Sequence, residues 1–158
     1  MSKVVIIMGS KGDLEHCGKI AKTLKEFGVE CESRIASAHK VPLKTLEIIR
    51  ENDMEKTVFI TVAGRSNALS GFTDAQTSLP VIACPPAGDS FGGADIYSSL
   101  RMPSGVCPLV VLEPENAALA AVKILALSDD DLKKKIEKFQ ARKREELESA
   151  DKEARKNG

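Results

Sequence analysis

Three short polar clusters each follow an apolar run in this chain. They read G-S-K-G-D at residues 9–13, S-A-H-K at 37–40 and G-R-S-N at 64–67. Of the two histidines, His16 and His39, only His39 stands in such a cluster. A free imidazole titrates near ~6.5, so it can take up and return a proton close to neutral pH. Ser37 and Lys40 beside it supply a hydroxyl and a cation, a pairing suited to phosphate. In the first cluster, Ser10 offers a hydroxyl. Gly12 leaves backbone N–H groups open to a ligand at the start of a helix, where an anion is favoured. Asp13 has two readings, a helix N-cap or an acceptor for two neighbouring sugar hydroxyls. Ala38 and Gly64 are small enough to let a ligand approach the backbone. Arg65, Ser66 and Asn67 bring a guanidinium, a hydroxyl and an amide, or form a plain turn with a solvated arginine.

These clusters need elements to hold them. Lys3–Met8 is continuously apolar, as in a strand buried on both faces. Residues 29–36 alternate, and 57–63, 80–84 and 109–112 are short β-branched or apolar runs. Helical spacing fills 14–27, closed by Gly28 at a C-cap position, and 42–51, opened by Pro42. Shorter helices are expected after Asn67 to about residue 77, and over 96–101. Strands alternating with helices predict an α/β, three-layer, flavodoxin-like fold. It has a five-stranded parallel sheet in order 2-1-3-4-5 and a long C-terminal helix. In such a sheet, ligands collect at the carboxyl ends of the strands, near the point where strand order reverses. All three clusters fall on that rim. Residues 87–95, with three glycines, read as a covering loop. His16, inside the first helix, reads as structural or solvent-facing.

The C-terminal segments differ in character. Residues 116–127 are apolar nearly all round, so cover is expected from the chain's own sheet and from another subunit. Residues 129–158 are mostly charged. Leu132, Ile136, Phe139 and Leu147 form a narrow stripe that needs a surface to dock on. The last ten residues read equally well as a frayed end.

The 158 residues suit a single domain, with a core over about 3–127 and an extension over about 129–158. Basic and acidic residues balance at 23 each, and no basic face offers itself to nucleic acid. No apolar run is long enough for a membrane span. The first residues read as a strand rather than a secretory leader. Cys17, Cys31, Cys84 and Cys107 form no C-x-x-C pair and read as reduced thiols, which suggests a cytoplasmic protein. Two histidines without a cysteine pair argue against structural zinc. With 4% aromatic residues and Tyr97 as the sole tyrosine, a flavin site is disfavoured.

Taken together and in order, M-G-S-K-G-D, S-A-H-K-x-P, V-A-G-R-S-N-A-L-S-G, A-C-P-P, S-S-L-R-M-P-S-G-V and E-N-A-A-L-A-A-V-K-I-L resemble the purine-biosynthetic carboxylases acting on aminoimidazole ribonucleotide. The resemblance covers residues 4 to 127. That family has two branches, a mutase that moves a carboxylate from an exocyclic nitrogen to a ring carbon, and a carboxylase that uses CO2 directly. Mutases typically show S-A-H-R-T-P and G-G-A-A-H-L-P-G. Lys40 and Ala68 here replace the arginine and the loop histidine, so the chain looks like the direct branch. Gly12 departs from a serine frequent in the family. The resemblance implies that His39 carries the proton and that Ser10, Ser37 and Lys40 hold a 5′-phosphate. Asp13 would take the ribose hydroxyls, and Arg65, Ser66 and Asn67 the CO2 or carboxylate group. It further implies no metal or organic cofactor, and a homo-octamer. The rivals are the mutase and, from another class, a nucleotide-binding regulatory module.

Overall fold

The structure, a computed structural model, describes residues 2–157. Five strands form one parallel sheet in the order β2-β1-β3-β4-β5: β1 Lys3–Met8, β2 Glu30–Ile35, β3 Thr57–Val62, β4 Val81–Ala83 and β5 Leu109–Val110. The flavodoxin-like order expected from the sequence is the one observed. The last two strands are shorter than their apolar runs. β5 pairs with β4 over only two residue pairs, Ile82 with Leu109 and Ala83 with Val110, and ends before Leu112.

β1 and β3 lie side by side in the middle of the sheet, and helices cover both faces. This is why both are apolar without alternation. Val4, Ile6, Met8, Val58, Ile60 and Val62 point into a core shared with α1 (Leu14–Phe27), α5 (Pro114–Leu125) and α6 (Asp130–Asn157). Val5, Ile7, Phe59 and Ala63 point the other way, into a core with α2 (Pro42–Glu51) and α3 (Ala68–Asp74). α1 ends where Gly28 turns left-handed, φ 73°, and its N–H returns to the carbonyls of Leu24 and Lys25. The covering segment folds as a 3-10 stretch, Ser90–Ile96, which runs into the single turn α4, Tyr97–Leu100.

The apolar helix α5 differs from expectation. Ala117, Ala118, Ala121, Val122 and Leu125 are buried within this one chain. Besides the sheet, α1 and α6 of the same chain cover it. Its small alanines let α1 approach closely, while Leu127 at the end of the apolar segment stays exposed on this chain. α6 docks through Leu132 and Ile136, both buried, and through Phe139, whose ring centroid lies 5.4 Å from that of Phe27. Lys135 Nζ donates to the Phe27 carbonyl at 2.6 Å, meeting one of the orphan acceptors at the end of α1. The apolar stripe stops there, because Leu147 is exposed.

Truncating Ile136 to alanine should therefore cost about 2–4 kcal/mol of unfolding free energy. A lowered urea midpoint, with faster amide exchange in α6 than in β1, is the expected result.

Candidate functional site

The strand ladder puts three loops at one level. Met8 is paired with Ile35 on one side and with Val62 on the other. The next residues continue the pairing: Ala36 N–H donates to Met8 O, and Gly9 N–H donates to Val62 O, each at 2.9 Å. Gly9, Ala36 and Ala63 thus leave the sheet together. Strand order reverses between β1 and β3, so the loops open on the switch point.

A cavity of about 600 Å³ occupies this rim. It is lined by Ser10, Gly12, Asp13, Ser37, Ala38, His39, Lys40, Gly64, Arg65 and Ser66, which are the residues singled out from the sequence except Asn67. The size suits a ligand of nucleotide dimensions. The far wall comes from Leu69 and from Pro86, Ala87, Gly88, Ser90 and Asp95 of the covering segment. Of these, Asp95 had no signal in the sequence. The segment has neither helical nor strand period, and its path is set by three successive left-handed residues, Phe91, Gly92 and Gly93.

The first loop is prefolded. Asp13 Oδ2 accepts both the backbone N–H of Ser10, at 3.1 Å, and its hydroxyl, at 3.0 Å. As a side-chain N-cap of α1 Asp13 fails, since its carboxylate accepts no helix N–H; it reaches back to Ser10 as the acid of a capping box and lines the cavity. The Ser10 hydroxyl proton is thereby already engaged by the carboxylate. At Gly12 an added Cβ would stand 3.4 Å from Ser10 Oγ, ordinary contact, so a serine would fit there without strain.

In the second loop, Ser37 Oγ accepts the Lys40 N–H at 3.3 Å, and Ser37 O accepts the Val41 N–H at 2.9 Å. This tight turn ends at Pro42 and presents His39 and Lys40 as exposed side chains on the cavity rim. In the third loop, Arg65 adopts φ 59°, a left-handed conformation uncommon for a residue with a side chain. Arg65 and Ser66 are exposed, whereas Asn67 is 4% exposed and turned inward. Its Nδ2 donates to Ser99 Oγ at 2.9 Å, and its Oδ1 accepts the Ser70 N–H at 3.1 Å. Asn67 therefore stands behind the cavity wall, because the start of α3 needs a cap more than the rim needs an amide.

A second cavity, about 470 Å³, lies beyond the wall formed by Gly64, Pro86, Ala87, Gly88 and Asp95. His16 borders it and is half-buried. Its Nε2 is 3.2 Å from Cys84 Sγ, which in turn donates to Leu112 O at 3.5 Å. Burial holds His16 below its ordinary value and outweighs a hydrogen bond with the Cys84 backbone, which pushes the other way; nearby Lys19 adds to the lowering. Burial likewise pushes the Cys17 and Cys84 thiols up to about 12, so neither is a ready nucleophile. Among the described residues no cluster of three or more metal-ligating side chains occurs, and no helix is long and apolar enough to cross a membrane.

Comparison with known proteins agrees with this layout. The family model described as AIR carboxylase matches residues 3–146. A phosphoribosylaminoimidazole carboxylase of Archaeoglobus fulgidus is 62% identical over 153 residues, covering 97% of this chain and 85% of that protein. One of Treponema denticola is 50% identical over 138 residues, covering 86% of this chain and 87% of that protein. The crystal structure of Treponema denticola PurE superposes with a TM-score of 0.94 at 45% identity, covering 97% of this chain and 98% of the other.

The lowered His16 makes stability depend on pH. Unfolded, this imidazole protonates near its ordinary 6.5; folded, it protonates only below that. Its contribution is thus present above the unfolded value and is lost as pH falls through the folded one. Between about pH 7.5 and about pH 5.5, the urea midpoint of the wild type should fall more steeply than that of His16→Gln. Parallel curves would remove His16 from the account.

Proposed function

This chain belongs to the AIR carboxylase family, and on that premise we propose that it carboxylates 5-aminoimidazole ribonucleotide at C4 with CO2. The product is 4-carboxy-5-aminoimidazole ribonucleotide, formed without ATP in purine biosynthesis. The observation that carries the reading is the meeting of His39, a phosphate-binding pair and a carboxylate on one cavity at the switch point. Lys40 and Ala68, where the mutase pattern has arginine and histidine, favour direct use of CO2 over the mutase.

Ser37, Lys40 and Ser10 hold the 5′-phosphate, with the N–H groups around Gly12 assisting. Asp13 takes the ribose hydroxyls, and Ala38 leaves room for the sugar. The base then reaches toward Gly64 and the wall behind it. C4 of an aminoimidazole is an enamine carbon, so its electron pair attacks the carbon of CO2 and one C=O bond opens to a carboxylate. C4 now bears both the carboxylate and its original hydrogen. His39 removes that proton, the C–H electrons return to the ring, and aromaticity is restored. In the reverse direction the imidazolium returns the proton and CO2 leaves. Arg65 and Ser66 face the developing carboxylate. CO2 carries no net charge, so its confinement beside C4 contributes more than attraction does.

Assembly as a homo-octamer belongs to the same proposal. Leu43 and Leu127 are each more than four-fifths exposed, and Leu109 and Leu112 about half, which is consistent with association. A sedimentation mass of one chain would remove this part.

His39→Asn should lower kcat by about 100- to 10,000-fold while the ribonucleotide still binds. Near wild-type turnover would rule out the proton-transfer role. Side-by-side assays with 5-aminoimidazole ribonucleotide plus CO2, and with its N5-carboxylated isomer alone, decide the branch. Efficient conversion of the isomer without release of CO2 would favour the mutase. Tight binding with neither turnover would favour a regulatory module.

A further inference from the structure

The two loops that close the cavity opposite the phosphate-binding pair are bolted together by one hydroxyl outside it. Ser98 Oγ lies 2.8 Å from the Asp95 carbonyl and 3.2 Å from the Arg65 carbonyl, and it accepts the Asn67 N–H at 3.0 Å. A hydroxyl has one proton, so Ser98 donates to one of the two carbonyls at a time while its lone pairs stay available to Asn67. A second link lies beside the first, from Asn67 Nδ2 to Ser99 Oγ, and Ser99 is 2% exposed. The residues joined are more than thirty apart in sequence. Neither Ser98 nor Asn67 lines the cavity, yet Arg65, Ser66 and Asp95, which they hold, all do.

The loop so held is not at ease. Arg65 sits at φ 59°, a left-handed conformation that is strained for a residue with a side chain and persists only where the surroundings impose it. The Arg65 carbonyl and the Asn67 N–H, which flank Ser66, both meet Ser98. That hydroxyl therefore holds the turn at Asn67, and its one proton goes to the Arg65 carbonyl or, at shorter distance, to the Asp95 carbonyl, which sets the covering segment against the same turn.

We propose that Ser98, backed by Asn67, is a positioning residue that keeps Arg65, Ser66 and Asp95 together as one wall beside the reacting carbon. The proposal rests on the reaction given above, in which that wall confines CO2. The phosphate and ribose are held by loops after β1 and β2, which Ser98 does not touch. Its loss should thus separate kcat from KM, whereas a merely structural role would lower stability and leave the ratio alone.

The test uses the full chain and compares Ser98→Ala with Ser98→Thr, which keeps the hydroxyl. In Ser98→Ala, amide exchange over residues 64–67 and 88–96 should rise about tenfold while exchange in β1 and β3 stays unchanged. The kcat for carboxylation should drop about 10- to 100-fold, with KM for the ribonucleotide within about twofold. Ser98→Thr should restore both. Exchange that is unchanged in Ser98→Ala, or a lowered melting temperature with kcat intact, would overturn the proposal. The exchange measurement needs no substrate. If the wild type fails to carboxylate 5-aminoimidazole ribonucleotide, the proposed reaction falls, and the coupling of the two loops still stands or falls on exchange.

Discussion

Everything at the rim hangs from the pairing of β1 with both of its neighbours. Met8 is level with Ile35 and with Val62, so three loops leave the sheet from one height. Parallel strands can hold this register only while side chains on both faces stay buried, because a one-residue slip would exchange the two faces of the core. The even-numbered residues of β1 and β3 serve the α1–α5–α6 core, and the apolar odd ones, Val5, Ile7 and Phe59, serve the α2–α3 core. A site with contributions from residues 10–13, 37–40 and 64–66 is thus a consequence of sheet register, and the polar side chains add no scaffold of their own.

Two styles of loop meet on that rim. Those after β1 and β2 are closed by local hydrogen bonds, Asp13 to Ser10 and Lys40 to Ser37, each spanning three residues. They are shaped before a ligand arrives and suit the unreactive end of a substrate. The loop after β3 has a left-handed residue at its centre and is held from a distance by Ser98 and Ser99. In the reaction proposed above, the prefolded turns would bind, and the strained turn under external constraint would border the space left for chemistry. The neighbouring region pays in polar burial: Thr61, Ser70 and Thr73 hydroxyls lie buried without a hydrogen-bond partner among the described residues. Nothing in the structure explains those three.

His16 and His39 illustrate how context divides like residues. Both belong to the same edge of the sheet, yet His16 is half-buried against Cys84 and His39 stands exposed on a turn. Burial depresses the first, and with it the chance of shuttling protons near neutral pH.

Strand and helix positions were legible in the sequence because apolar periodicity records how many faces of an element are covered. That record placed β1, β3, α1 and α2 to within a residue or so and, with the strand order, put the three clusters on one rim. Local motifs also singled out His39 over His16 as the candidate, because Ser37 and Lys40 stand beside it at a strand end. Periodicity does not say who covers a face. Only the tertiary structure decided that α1 and α6 of the same chain pack on α5. It also turned Asn67 inward, where Ser98 and Ser99 meet it across more than thirty residues, and brought Asp95 to the far wall, through segments that have no repeat to read. Side-chain type and spacing fix which groups are available at a strand end. Which of them face a ligand is settled by competition for buried hydrogen bonds, and that competition exists only once distant loops have met.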